Sequence, residues 1–278
     1  MQYKIVADSS SNLLSFECFP FASVPLKIVT DEREFVDDAA LNTEEMLSYL
    51  DAWKGRSGTA CPSVGDWLEA FGDAERVFTV AITSNLSGCY NASVQAKQVY
   101  EETHPERKVC CLDTLSVGPE MALVVEKLKE LLDSGKTFEE AEAEIRDYMK
   151  HTHLLFMLES VDNLAKNGRV SPLVAKAVGF LGIRIVGKAS DVGTLQQLHK
   201  CRGEKKALDT ILKELDSHGF RGGKVRIAHC FNEAGAQALL ELVRSHYPDV
   251  EASIIPFTGL CSFYAERGSV MIGFEDRL

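Results

Sequence analysis

The sequence lacks a long apolar stretch and an excess of basic residues. None of its apolar runs reaches the length that spans a bilayer, and the N-terminus enters a strand-like segment at once. We therefore expect neither a transmembrane helix nor a signal peptide, but a cytoplasmic protein without stable membrane insertion. The 41 aspartates and glutamates outnumber the 30 lysines and arginines and give a formal net charge of -11. Because this charge repels a phosphate backbone, we do not expect nucleic-acid binding.

Metal-ligand spacings are also missing. The eight cysteines form no CxxC pair and no cysteine–histidine pattern typical of zinc, and the seven histidines form no set of ligands. We therefore expect reduced thiols, no metal and no other cofactor. The chain does have many apolar residues, 45% of the total, which suffice to bury a sizeable core.

Short apolar segments alternate with longer amphipathic ones along the chain. Strand patterns occupy 3–7, 24–29, 76–83, 108–113, 154–158, 183–186, 225–230, 251–257 and 269–274, and helix patterns include 64–71, 87–100, 121–132, 137–149, 170–180, 204–217 and 234–246. This alternation predicts an α/β fold. We expect an N-terminal α/β domain over residues 1–150, with a mainly parallel sheet covered by helices, and a second mixed α/β domain over residues 151–278.

Two loops rich in hydroxyl groups precede predicted helices. The first is Thr59-Ala-Cys-Pro-Ser63, and the second, Thr83-Ser-Asn-Leu-Ser-Gly88, follows the predicted strand 76–83. Free backbone amides at a helix start favour an anion, and the carboxyl ends of parallel strands gather ligands at one edge of a sheet. We therefore expect both loops to converge on one site. Its candidate residues are Thr59, Ser63, Ser84, Asn85, Ser87 and Gly88.

The composition of the loops indicates the kind of anion. Neither loop contains a lysine or an arginine, and the two together contain one glycine. Polyphosphate sites usually have a basic residue and several glycines. A single negative charge, such as a carboxylate, fits these loops better.

Two other interpretations fit the same residues. Serine, threonine and asparagine are ordinary helix caps, so the loops need not bind a ligand. Alternatively, Ser87 or Cys61 is the nucleophile of a serine or cysteine acyl-transfer enzyme such as a hydrolase. Against this, Ser87 lacks the first glycine of the G-x-S-x-G elbow, and the sequence places no base beside either residue.

The order of the motifs resembles that of the DegV family, the bacterial fatty-acid-binding proteins. The successive landmarks are ADSSSNL, VPLKI with EFVDD, TACPS, ITSNLSGCYNAS, Asp113, LESVDNLAKNGRV, LGIRIVGKASDVGTL and CRGEKKAL. The resemblance implies a DegV-like two-domain fold that holds a long-chain fatty acid between the domains. It places the carboxylate on the six candidate residues of the hydroxyl loops and buries the acyl tail. The apolar segment 173–180 is a candidate wall for the tail, although a helix with this pattern more often packs in a core. It also implies a carrier without catalytic residues.

The same resemblance implies a partner. In some Gram-positive relatives a separate fatty acid kinase phosphorylates the bound carboxylate to an acyl phosphate, and Arg169 and Arg202 fall on the basic positions connected with that step. Taken alone, each arginine has the pattern of an ordinary surface cation. One landmark differs, because Tyr264-Ala265-Glu266-Arg267-Gly268 stands where the family usually has His-Thr-Gly-Pro-Gly. Tyr264 can donate a hydrogen bond to the head group but cannot act as an imidazole near neutral pH, so this change affects binding less than kinase-coupled transfer.

Overall fold

The structure is a computed structural model that describes residues 2–17, 19–170 and 182–276. Its strands are β1 (Tyr3–Asp8), β2 (Phe21–Val24), β3 (Lys27–Thr30), β4 (Glu34–Val36), β5 (Ser57–Ala60), β6 (Arg76–Ala81), β7 (Lys108–Asp113), β8 (Thr152–Leu158), β9 (Ile183–Ala189), β10 (Leu195–Arg202), β11 (Lys224–His229), β12 (Glu251–Pro256) and β13 (Val270–Glu275). Its α-helices are α1 (Thr43–Ala52), α2 (Val64–Phe71), α3 (Cys89–Thr103), α4 (Pro119–Asp133), α5 (Phe138–Tyr148), α6 (Asp162–Lys166), α7 (Glu204–Ser217), α8 (Glu233–His246) and α9 (Gly259–Ala265). Short 3-10 helices span Ser9–Ser11 and Met149–His151.

The first sheet is parallel and buried on both faces. Its strands lie in the order β2-β1-β6-β7, and each neighbouring pair is parallel. Residues 77–81 of β6 are all buried. Because successive residues of a strand face opposite sides, both faces must be covered, and α2, α3 and α4 pack on the sheet. The predicted parallel sheet is confirmed.

The second sheet is mixed. Its order is β10-β9-β8-β13-β11-β12, in which β11 and β12 are parallel and the other neighbours antiparallel. Helices α7 and α8 pack on it, whereas α4 contacts both sheets. On β11, the buried guanidinium of Arg226 lies 2.6 Å from Glu126 of α4 and 2.7 Å from Glu251 of β12. The predicted α/β class is confirmed.

The division of the chain into residues 1–150 and 151–278 remains our proposal. Strands β1 to β7 precede this boundary and β8 to β13 follow it. The sheets therefore divide where the proposed domains do, and α4 joins them.

One predicted strand is wrong. The segment 24–29 is divided, because β2 ends at Val24 and β3 begins at Lys27. Pro25 lies between them and lacks the N–H group that a continuing ladder needs. Strand β3 instead pairs with β4 and β5 in a small antiparallel sheet, which places β5 and its Thr59.

A second error concerns the segment before Arg202, because its polar residues predict a loop rather than a strand. This segment is strand β10, at the edge of the mixed sheet, and most of its side chains are at least partly exposed. A polar edge strand lacks the apolar pattern by which buried strands are recognised. The predicted helix 170–180, apart from Val170, and the candidate wall 173–180 lie outside the described residues.

Candidate functional site

A narrow cavity lies between the carboxyl edge of the parallel sheet and one face of the mixed sheet. Its volume is about 70 Å³. The described residues that line it are Leu26, Thr59, Ile82, Thr83, Leu86, Ser87, Leu115, Ser116, Val117, Leu154, Phe156, Leu158, Leu164, Arg169, Ala189, Gly193, Thr194, Leu195, Leu260, Cys261, Tyr264, Ala265 and Met271. Most of these side chains are apolar, so the wall suits a hydrocarbon.

Strand β8 forms much of the apolar wall. Leu154, Phe156 and Leu158 line the cavity and are at most 3% exposed. The alternate residues Leu155 and Met157 belong to the core on the other face of the mixed sheet. The alternation of a strand therefore gives one face to the cavity and the other to the domain core.

Hydroxyl groups and a cation form the polar part of the cavity. Thr59 Oγ1 and Tyr264 OH are 2.8 Å apart, and Ser87 lines the same space. The guanidinium carbon of Arg169 lies 5.5 Å from the centre of the Tyr264 ring, and its Nε donates to the Leu86 carbonyl at 3.3 Å. Burial raises the pKa of the Tyr264 phenol, although the Thr59 hydrogen bond and the Arg169 charge oppose this shift. The phenol is therefore neutral near neutral pH and can donate a hydrogen bond.

The structure brings the two hydroxyl loops together. A Cβ atom added at Gly88 would lie 3.0 Å from Sγ of Cys61 in the first loop. Glycine at this position therefore allows the close approach of the loops. Thr59 from one loop and Ser87 from the other consequently face the same cavity.

Several backbone amides of the second loop are already hydrogen-bonded within the protein. The N–H groups of Leu86 and Ser87 donate to the Thr83 carbonyl at 3.1 and 3.2 Å, and that of Ser84 donates to Asp113 at 3.1 Å. These three amides belong to the turn before α3, which begins at Cys89, so they are not free to bind a ligand. Side-chain hydroxyls are thus better placed than these amides to bind a ligand.

Other predicted site residues lie outside the cavity lining: Ser63, Ser84, Asn85, Gly88 and Arg202. Ser63 is the N-cap of α2 and forms a capping box with Asp66, as the capping interpretation requires. The side-chain amide of Asn85 donates to the Val192 carbonyl at 2.6 Å, in the turn between β9 and β10. Arg202 is exposed at the end of β10.

The cavity offers Ser87 no general base. Its lining, as far as the structure describes it, contains no histidine, aspartate or glutamate. The Ser87 hydroxyl donates to the Cys89 thiol at 3.2 Å, and burial raises the pKa of that thiol well above its ordinary value. Cys61 is exposed and does not line the cavity. This arrangement favours binding over acyl transfer.

Sequence reasoning missed the role of Asp37, within EFVDD. This aspartate is buried and accepts hydrogen bonds from the Gly259 and Leu260 amides and the Thr258 hydroxyl. Burial raises its pKa, and these hydrogen bonds oppose the rise. Asp37 therefore holds the start of α9, the helix that carries Tyr264. The sequence shows one sign of this role, an acidic residue directly after an apolar segment. It could not show the contact itself, since Gly259 lies 222 positions from Asp37 in the chain.

A second buried acid, Glu120, is hydrogen-bonded to Ser116 of the cavity lining. The Ser116 hydroxyl donates to Glu120, and the Thr152 hydroxyl donates to the same carboxyl group at 2.8 Å. Burial raises the pKa of Glu120 to about 7 in spite of these bonds. A protonated Glu120 is thus compatible with the apolar surroundings of α4.

In the part of the chain that the structure describes, no helix has the length and apolar character needed to cross a bilayer. The same residues contain no group of three or more histidine, cysteine or acidic side chains that could hold a metal ion. The described cysteines are free thiols, and Cys18 lies outside the described residues.

Comparisons with known proteins identify the family. A family model described as "Uncharacterised protein, DegV family" matches residues 2–277. A DegV domain-containing protein of Streptococcus pneumoniae is 44% identical over 279 residues, which cover 99% of each chain. A DegV family protein from Eubacterium eligens, solved loaded with heptadecanoic acid, is 44% identical with a TM-score of 0.97, over 99% of this chain and 100% of that one. The Streptococcus pneumoniae Fatty Acid Kinase (Fak) B3 protein, solved loaded with linoleic acid, is 44% identical with a TM-score of 0.98, over 100% of both chains. The chain therefore belongs to the DegV family.

Proposed function

We propose that this protein is a non-catalytic carrier that binds a long-chain fatty acid. The acyl tail occupies the cavity between the two sheets, and the carboxylate accepts hydrogen bonds from Thr59, Ser87 and Tyr264. The observation that carries the proposal is a narrow apolar cavity that includes a hydroxyl pair 2.8 Å apart. The two solved relatives loaded with fatty acids, each 44% identical to this chain, support the same ligand class.

The remaining predicted site residues have a different part in this proposal. Ser63, Ser84, Asn85 and Gly88 do not line the cavity, and their contacts instead shape the two loops. We assign them the positioning of the hydroxyl groups rather than direct contact with the carboxylate. In this proposal both loops belong to the head-group site, some of their residues by direct contact with the carboxylate and the others by positioning the hydroxyl groups.

The acyl tail supplies most of the affinity. A fatty acid with about fifteen methylenes gains roughly 12 kcal/mol when they are buried, at about 0.8 kcal/mol each. Each hydrogen bond to the carboxylate adds about 1.5–3 kcal/mol at most. The loss of translational and rotational freedom offsets part of this sum. The hydroxyl groups therefore set the orientation of the ligand more than its affinity.

We further propose that a fatty acid kinase is the partner that uses the bound carboxylate. The similarity to the Streptococcus pneumoniae Fatty Acid Kinase (Fak) B3 protein supports this proposal. Arg169 lines the cavity beside Tyr264, which suits a role near the reacting carboxylate, whereas Arg202 is exposed and suits contact with the kinase. Tyr264 supplies a neutral hydrogen bond where the family usually has an imidazole.

The kinase proposal is tested by acyl-phosphate formation with a purified fatty acid kinase, ATP and the loaded carrier. Arg169→Ala and Arg202→Ala should lower the rate of transfer more than they lower fatty-acid affinity. Arg244→Ala is the matched control, because this arginine is on α8 and does not line the cavity. No transfer from the wild-type carrier, or equal losses in all three variants, would contradict the proposal.

The fatty-acid proposal is tested by mass spectrometry of the organic extract from protein purified without added lipid. A long-chain fatty acid present at about one molecule per chain is the expected result. An extract without fatty acid, from protein that also fails to bind added palmitate, would contradict it. Ester hydrolysis that disappears in Ser87→Ala or Cys61→Ala would instead support the acyl-transfer alternative.

A further inference from the structure

A phenylalanine in the cavity wall rests on a glycine of the neighbouring strand. Phe156 on β8 is the register partner of Gly187 on β9. A Cβ atom added at Gly187 would lie 2.4 Å from Cζ and 2.6 Å from Cε2 of the Phe156 ring. Carbon atoms in proteins do not approach so closely, so the ring occupies space that another residue at position 187 would fill.

The direction of this ring determines how much of the cavity it fills. On the other side of Phe156, its register partner is Met271 on β13. Because the tip of the ring lies over Gly187, Phe156 leans along the sheet toward β9 and away from Met271. The ring therefore does not fill the space over β8 and β13, and this space is part of the cavity that Phe156 and Met271 line.

The recess at Gly187 is closed on its far side by main chain. The carbonyl oxygen of Gln196, on β10, lies 2.4 Å from the same added Cβ atom. Backbone in a paired strand cannot move aside as a flexible side chain can. A Phe156 ring that is displaced from Gly187 therefore moves toward the cavity, where there is open space.

We propose that Phe156, seated on Gly187, is a specificity-determining residue that limits the length and width of the acyl chain. This inference rests on the proposed function and adds to it the residue pair that selects among fatty acids. Removing the six ring carbons in Phe156→Ala makes room for about three methylenes. Each additional methylene that becomes buried strengthens binding about 4-fold.

The test compares the affinities of wild type and variants for saturated fatty acids of graded length, measured by calorimetry. Phe156→Ala should move the preferred length up by about two to four carbons. Leu155→Ala is the matched control, since this residue is on the same strand and is equally buried but packs in the core of the opposite face. It should lower stability and leave the chain-length preference unchanged.

Gly187→Ala should act in the opposite direction, because the displaced ring enters the cavity and shorter acids become preferred. If this variant does not fold, Phe156→Leu replaces it and should give a preference between those of wild type and Phe156→Ala. The inference is overturned if Phe156→Ala keeps the wild-type preference, or if Leu155→Ala shifts it equally. A wild-type protein that binds no fatty acid would instead overturn the proposed function itself.

Discussion

Replacing Tyr264 by phenylalanine tests how the binding free energy divides between head group and tail. The substitution removes the hydroxyl 2.8 Å from Thr59 Oγ1 and keeps the ring that lies 5.5 Å from the Arg169 guanidinium. One hydrogen bond to a carboxylate is worth about 1.5–3 kcal/mol. Thr59 and Ser87 still reach the head group, so we expect a loss of about 1.5 kcal/mol, or about tenfold in Kd. Shortening the acid by about two methylenes should cost as much.

Isothermal titration calorimetry with saturated acids of graded length is the assay. The logarithm of Kd should vary with chain length at the same slope in wild type and Tyr264→Phe, and the two lines should differ by a constant offset. Equal slopes are expected because the substitution does not change the apolar wall. The slope should correspond to about 0.8 kcal/mol per methylene until the cavity is full.

Tyr49→Phe is the matched control for this experiment. The Tyr49 hydroxyl is buried and has no hydrogen-bond partner among residues 2–17, 19–170 and 182–276, and Tyr49 does not line the cavity. Its removal should leave every Kd unchanged. A loss of more than about 1,000-fold in Tyr264→Phe, or a slope near zero in the wild type, would refute the division of free energy between tail and head group.

Three other substitutions give distinct expected outcomes. Arg226→Met leaves the Glu126 carboxylate without its bidentate partner, so denaturant titration should show the free energy of unfolding lowered by about 3 kcal/mol. Glu120 has a pKa raised by burial from 4.5 to about 7, so the folded state binds its proton more tightly and the stability of the wild type should fall as pH rises through this range. Glu120→Gln should reduce that fall, and identical pH profiles of the two proteins would contradict the assignment. Asn85→Ala removes the 2.6 Å bond to the Val192 carbonyl that ties the β9–β10 turn to the hydroxyl loop, so stopped-flow measurements should show fatty acid released about fivefold faster.

Local sequence patterns were sufficient to predict much of the fold and some of the residues that line the cavity. The apolar strands of the parallel sheet are buried on both faces, so they appear as continuous apolar runs that a sequence displays directly. Ser87 follows β6 of the parallel sheet, and the rule that ligands gather at the carboxyl edge of such a sheet led to this loop. Thr59 lines the same cavity for another reason, because β5 pairs with β3 in the small antiparallel sheet. Strand β10 was missed because it is a polar edge strand, in which the apolar alternation is absent.

Contacts between distant parts of the chain explain what the sequence did not reveal. Asp37 binds the start of α9 across 222 positions, and no local pattern encodes that pairing. Phe156 and Leu155 are adjacent apolar residues of one strand, yet one lines the cavity and the other fills the core. An apolar side chain looks the same in sequence whether it will touch a ligand or another side chain.

The most direct measurement is a crystal structure with a fatty acid that carries bromine on its terminal carbon. The anomalous signal of the bromine locates the end of the tail independently of the protein density. We expect the bromine against the apolar wall of the mixed sheet and the carboxylate within hydrogen-bond distance of Thr59 and Tyr264. Bromine beside those two hydroxyl groups, or a fatty acid bound outside the space between the two sheets, would contradict the account.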